Sequence, residues 1–280
     1  VLKTRIITAL ILAPIAIGGI FFLPPLGFAL FTAAIITLGA WEWANMSGLE
    51  QQPSRVAYAA VIALILYGLL NVSAVAVLWL ALVWWVVCFL LVRSYPAGSE
   101  RWGSVPVRAF MGVLVLVPAW VGLNHLRAGG LQFGSTDNNL LLILYVFCVV
   151  WVADIGAYFA GRAFGKAKLA PRVSPGKSWA GVWGGLAAVG TFAFIVSVLA
   201  SAGAVETVLL VIASLVTGMV SVLGDLLESM LKRFRGIKDS SRLLPGHGGI
   251  MDRIDSLTAA VPVFALIITQ LGWLTAVGHF

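Results

Sequence analysis

Nine apolar runs, near residues 6–23, 27–46, 55–71, 73–92, 108–126, 138–163, 178–201, 205–226 and 256–277, leave this chain one kind of environment to fold in. Each run holds about 17–25 residues, and a helix of that length crosses a hydrocarbon core of about 30 Å. Hydrophobic residues make up 61% of the 280 and charged residues only 10%, so a soluble fold would expose a very large apolar surface. The expected fold is all-α: a polytopic transmembrane helical protein of about nine spans. Pro24-Pro25-Leu26-Gly27 and Asn71-Val72-Ser73 read as tight turns between spans.

The placement of charge orients these spans. With Lys3 and Arg5 in the cytoplasm and nine crossings, every one of the 18 Lys and Arg residues except Arg127 falls on the cytoplasmic side, as the positive-inside rule favours. The C-terminus, Gly278-His279-Phe280, is then expected outside. The net charge of +7 follows from this topology and an anionic leaflet, with no soluble basic domain to hold nucleic acid. Cys88 and Cys148 lie within apolar runs and read as small buried thiols. The first run follows a basic start without an Ala-x-Ala cleavage site and is expected to be a retained helix. Residues 1–135 make about five spans; residues 136–280 make the remaining helices and carry the candidate site, facing the cytoplasm.

That site is read from the acidic residues and the one strongly polar segment. Ser229–Asp255 holds six cations and three carboxylates around Gly246-His247-Gly248-Gly249, a composition suited to phosphates and a metal at a membrane surface. Asp154 is an ionisable group inside an apolar run, which marks it for function. Asp225 and Glu228 share one helix face, with Lys232 a turn further on, and Asp252 and Asp255 lie three apart where the ninth helix begins. An i,i+4 salt bridge explains Glu228 and Lys232 equally well, and a helix-start role suits Asp255. Glu42, between Trp41 and Trp43, reads as an interfacial anchor, and His125 and His279 as structural.

Hard oxygen ligands without a His/Cys cluster point to magnesium, with Asp225 and Asp252 as the natural pair. Ser174-Pro175-Gly176-Lys177-Ser178 looks like the tail of a Walker A loop but lacks its first glycine, Pro171 standing there. A small phosphate-binding loop at the start of the seventh helix is expected instead, presenting Lys177 and Ser178.

The order of these residues resembles the phosphatidate cytidylyltransferase family (CDP-diacylglycerol synthase) of bacteria. Ser229-x-x-Lys232-Arg233, Lys238-Asp239 and His247-Gly248-Gly249-x-x-Asp252-Arg253-x-Asp255 match its signature at every fixed position. The likeness extends to Gly224-Asp225, to Asp154 with its Gly-Arg-x-Phe-Gly-Lys continuation, to Ser174-Pro175-x-Lys177-Ser178 and to Arg5-Ile6-Ile7-Thr8-Ala9. Ser178 and Ala180 stand where many members carry Thr and a polar residue.

The resemblance implies a reaction: CTP and phosphatidate give CDP-diacylglycerol and pyrophosphate, with magnesium required and a second, monovalent cation left open. It implies catalytic roles for Asp225, Asp252, Lys232, Ser229, Lys238, Asp239 and Arg253. Substrate binding falls to Ser174, Lys177, Ser178, Arg233, His247, Gly248 and Gly249, and metal binding to Asp225 and Asp252, with Asp154 and Asp239 as further candidates. A CTP-dependent lipid or polyprenol kinase and, less well, a secondary transporter are the alternatives. Bacterial inner membrane is the expected location. Gly181-x-x-x-Gly185 permits close helix packing, so a homodimer is left open.

Overall fold

The computed structural model describes residues 2–275; the side chains of Lys3 and Arg5 and the tail Gly278-His279-Phe280 lie outside the described residues. Among the described residues nine long helices fall on the nine apolar runs: α1 (Leu2–Phe22), α2 (Pro25–Ser47), α3 (Gln52–Gly68), α4 (Ala74–Ser94), α6 (Val105–Ala128), α7 (Leu140–Phe164), α8 (Trp179–Leu199), α9 (Ala204–Arg235) and α10 (Met251–Gln270). One turn of helix, α5 (Ser99–Trp102), interrupts the connection between α4 and α6. Among the described residues α2, α4, α6, α7, α8 and α9 are long and apolar enough to cross a membrane on those grounds alone.

α10 runs through the middle. From Thr258 to Leu266 every residue is buried, around the full circumference, because α6, α9, α4, α7 and α2 all pack against it. One apolar cluster joins Trp43, Met111, Leu116, Trp120, Leu227 and Val263; a second joins Phe28, Ile143, Val146, Val189 and Phe264. The outward faces carry Leu64, Phe89, Phe159, Trp183 and Leu199, apolar side chains suited to lipid tails.

Two local differences from the sequence reading shape the site. The first is that α9 does not stop near residue 226 but continues to Arg235. Leu226, Leu227, Met230 and Leu231 keep a buried stripe at helical spacing, so the polar residues between them ride on the other face. Gly236, at φ +70°, ends the helix: its N–H and that of Ile237 donate to Arg233 and Lys232 carbonyls.

The second difference is that the expected phosphate-binding loop is a strand. β2 (Lys168–Ala170) and β3 (Ser174–Ser178) form an antiparallel hairpin, and the buried Ser178 hydroxyl accepts from Gly181 N at 3.2 Å as the N-cap of α8. Ser178 is thereby occupied by its own helix, and the hairpin turns Lys177, part-buried, toward Asp225 of α9.

At the opposite end of the molecule β1 (Gly130–Leu131) pairs with β4 (Leu274–Thr275), tying the α6–α7 connection to the segment after α10. Gly181 and Gly185 face α7, and a Cβ at Gly185 would lie 2.7 Å from the Ala153 carbonyl. The small-residue motif therefore serves packing within one chain.

Candidate active site

The site starts from the polar face of α9. Lys232 Nζ lies 2.5 Å from Glu228 Oε2, one turn back on its own helix, and 2.6 Å from Asp252 Oδ1 on α10. Glu228 is 1% exposed, and its second oxygen, Oε1, has no hydrogen-bond partner. Both sequence readings of this pair thus meet in one arrangement: the i,i+4 bridge forms, and it reaches on to Asp252. A buried ammonium between two carboxylates is not a free counter-charge for a phosphate; it ties α9 to α10. Removing one member strands a buried charge, so Lys232→Ala should cost about 3–5 kcal/mol of stability, measured as a lowered unfolding midpoint in detergent.

On the same face, Asp225 Oδ1 accepts from Ser229 Oγ at 3.1 Å, and Asp225 Oδ2 meets Lys177 Nζ at 2.6 Å. Lys177 and Asp225 are both part-exposed, so this pair can open to a ligand at small cost. The charges of Asp154 on α7 and Asp255 on α10 bear directly on Asp225, and Asp154 also feels Lys177 and Arg253. Four elements, α7, β3, α9 and α10, thus converge here.

Asp252 has a different setting. Its Oδ2 accepts from Ser240 N (3.0 Å), Ser240 Oγ (2.9 Å) and Gly249 N (2.7 Å). It stands on the first turn of α10, ahead of the apolar stretch. Burial there would raise its carboxyl, yet Lys232 and the Gly249 and Ser240 N–H donors hold it below the ordinary carboxylate range. The turn leading to it depends on glycine: Gly248 has φ +84°, and a Cβ there would approach Asp252 Oδ2 to 2.6 Å. Asp255 is the fifth residue of α10, past the first turn, so it does not cap the helix as its spacing suggested.

That start is held instead by Glu42, the acidic residue the sequence left as an interfacial anchor. Glu42 is fully buried on α2, and it accepts from Ile250 N at 3.0 Å and Met251 N at 2.7 Å. Ser241 Oγ donates to it at 2.6 Å, and the Ser240 hydroxyl, its one proton shared with Asp252, lies 3.1 Å away. Its one sequence signal was a charge in an apolar run, the same signal that singled out Asp154.

The remaining predicted residues line the rim. Arg233, Lys238, Asp239 and Arg253 are exposed, and Arg233 also donates from Nε to the Val173 carbonyl beside the hairpin. Ser174 is part-buried at the head of β3. His247 is half-buried, with its Nδ1 enclosed and unpartnered. Thr8 Oγ1 of α1 donates to the Pro245 carbonyl at 3.0 Å, which brings the N-terminal motif to the same turn.

Among the described residues no three His, Cys, Asp or Glu groups converge closely enough to enclose an ion unaided. Magnesium is commonly held by one or two carboxylates and completed by substrate phosphates, and Asp225 fits that manner of binding. A cationic nitrogen already rests on one of its oxygens, and further carboxylates stand nearby. Asp252 fits less freely, since one oxygen takes three donors and the other takes Lys232.

A helical membrane protein with carboxylates, exposed cations and a glycine turn gathered at one end of its bundle belongs to the class of membrane-embedded enzymes acting on phosphorylated substrates. Residues 3–271 match the model of the cytidylyltransferase family, so the chain belongs to that family and is a nucleotidyltransferase. It is 53% identical to the phosphatidate cytidylyltransferase of Pseudomonas aeruginosa over 97% of this chain and 98% of that one. The enzyme of the same name from Haemophilus influenzae is 41% identical, covering 94% of this chain and 97% of its own. That from Staphylococcus epidermidis is 34% identical, covering 95% and 97%.

Proposed function

We infer that this chain transfers the cytidylyl group of CTP to phosphatidate, giving CDP-diacylglycerol and pyrophosphate for phospholipid synthesis. The observation that carries this reading is the 53% identity to an enzyme of that name across nearly the whole of both chains. The site described above supplies chemistry to match.

A phosphomonoester such as phosphatidate is largely dianionic near neutral pH, its second pKa being about 6, so its phosphate oxygen can attack the α-phosphorus of CTP without a strong general base. The new P–O bond forms as the bond from that phosphorus to the α,β-bridging oxygen breaks, and the electron pair leaves with pyrophosphate. The barrier is largely repulsion between anions. Arg233, Lys238 and Arg253, exposed and free of the buried ion pairs, offset that charge, and Lys177 joins them when it leaves Asp225. His247, half-buried in the glycine turn, stands where the imidazole can contact a substrate phosphate. Lys232 and Gly249 hold Asp252, and Ser229 orients Asp225. Magnesium would be held chiefly by Asp225, with Asp252 and the nearby carboxylates of Asp154 and Asp239 as further ligands or as residues that orient them. Bound magnesium supplies Lewis-acid neutralisation of the phosphate oxygens.

The cationic rim faces the cytoplasm, where CTP is found, in a bacterial inner membrane crossed nine times with the C-terminus outside. The distribution of Lys and Arg supports this orientation. A cysteine at exposed Asp137, in the α6–α7 connection, should react with an impermeant thiol reagent added outside intact cells, and one at exposed Arg242 should not. The native thiols will stay silent, Cys88 being buried and Cys148 within α7. Reversed labelling would place the site away from CTP.

The reaction itself is tested with purified protein, phosphatidate and CTP labelled at either phosphate. Label from the α-phosphate should enter lipid and label from the γ-phosphate should leave as pyrophosphate. Transfer of γ-label to lipid would identify a kinase, and no transfer by folded protein with magnesium would overturn the assignment.

A further inference from the structure

Glu42 stands outside the charged segment that the sequence singles out, 187 residues before Ser229 in the chain, yet its carboxylate meets both halves of the loop that carries the signature. Ser240 and Ser241 lie in the loop's first half, and Ile250 and Met251 close it onto α10; all four present donors to Glu42, two to each oxygen, at 2.6–3.1 Å. A fully buried carboxylate with four donors is held in one geometry. Two of those donors are backbone N–H groups at the start of α10, where the helix dipole favours an anion. The approach also explains Gly249: a Cβ there would stand 2.5 and 2.6 Å from the Glu42 oxygens and 2.0 Å from Ser240 Oγ.

The same Ser240 hydroxyl that donates to Glu42 lies 2.9 Å from Asp252 Oδ2, and Asp252 in turn holds Lys232. Glu42, Ser240, Asp252 and Lys232 thus form one chain of contacts from α2 to α9. Asn45, a turn further along α2, reaches the Ser240 carbonyl at 3.5 Å and receives Arg235 Nε on its own carbonyl at 3.4 Å.

We propose that Glu42 is a positioning residue for cytidylyl transfer: by clamping residues 240–241 to residues 250–251 it fixes the reach of Asp239, His247 and Asp252 across the site, without itself touching substrate. This rests on the placement of the active site at the loop and the end of α9. Glu42→Gln keeps the size but turns an NH2 group toward two of the four donors, so the loop loses its fixed register while the apolar packing of α2 remains.

The test compares wild type, Glu42→Gln, Ser241→Ala and Asp225→Asn, each normalised to folded protein from size-exclusion and thermal melts, with kcat and KM measured for both substrates. Per folded molecule, Glu42→Gln should lower kcat about 100-fold and speed amide exchange at Ile250 and Met251. Ser241→Ala, which removes one donor, should lower kcat about 3–10-fold. A merely structural Glu42 would reduce the folded fraction and leave kcat per folded molecule and loop exchange unchanged, and that result overturns the proposal. Should Glu42→Gln fail to fold, Ser241→Ala decides, an unchanged kcat again overturning it. Asp225→Asn separates the two levels: if it too is fully active the site is misplaced, whereas an inactive Asp225→Asn beside a fully active Glu42→Gln refutes the clamp alone.

Discussion

Asp225→Asn should cut turnover on the order of 10³-fold while leaving the fold intact. Asn preserves the size and the oxygen that accepts from Ser229, so α9 keeps its local hydrogen bond. The Lys177 partnership is lost, but both groups are part-exposed, and such pairs contribute about 0–1 kcal/mol. What disappears is the negative charge at the meeting point of α7, β3, α9 and α10. A cation that neutralises phosphate oxygens contributes several kcal/mol to the transition state, and each 1.4 kcal/mol is about tenfold in rate. The check is kcat with magnesium titrated over a wide range, alongside the thermal midpoint. Near-normal turnover would remove Asp225 from the metal site even if the protein makes CDP-diacylglycerol.

Most of this architecture was legible in the sequence because long apolar helices announce themselves: length and apolarity alone located the nine long helices among the described residues, most of their ends shifted by a few residues. The longest shift, α9 running on to Arg235, was also written there, in the spacing of Leu226, Leu227, Met230 and Leu231, but polar neighbours masked it. The β2–β3 hairpin could not be read, since three to five residues carry too little periodicity to separate strand from loop. The residues of the candidate site stand out by charge in an apolar chain, and their contacts with one another do not. Lys232 and Arg253 look alike in a sequence, yet one is clasped by Glu228 and Asp252 and the other faces solvent. That distinction depends on long-range contacts between α9 and α10. Glu42 was misread for the same reason: its four donors arrive from residues about 200 positions away, and nothing local to Trp41-Glu42-Trp43 records them.

Asp252→Asn should be worse than Asp225→Asn in stability and comparable in turnover, although the chemical change is the same. Every lone pair in use on Asp252 faces a donor: Lys232 on Oδ1, and Ser240 N, Ser240 Oγ and Gly249 N on Oδ2. Whichever way the Asn amide turns, its NH2 meets either the buried ammonium or the loop donors. Each donor left unpaired costs about 1–3 kcal/mol, so the unfolding midpoint should fall well below that of Asp225→Asn. The pH dependence separates the two further. Because the Asp252 carboxyl is held below its ordinary range in the folded protein, it stabilises the fold above the unfolded carboxyl's pKa, about 3.9. That contribution is lost as pH falls through the lower folded value. The acid limb of the wild-type stability curve should therefore flatten in Asp252→Asn and persist in Asp225→Asn. Turnover of the double variant should be little lower than that of the poorer single variant, since both groups serve one site, while their stability losses should add, one being at the loop anchor and the other at the hairpin contact. Equal melting midpoints and equal acid limbs for the two single variants would show that Asp252 does not anchor the loop.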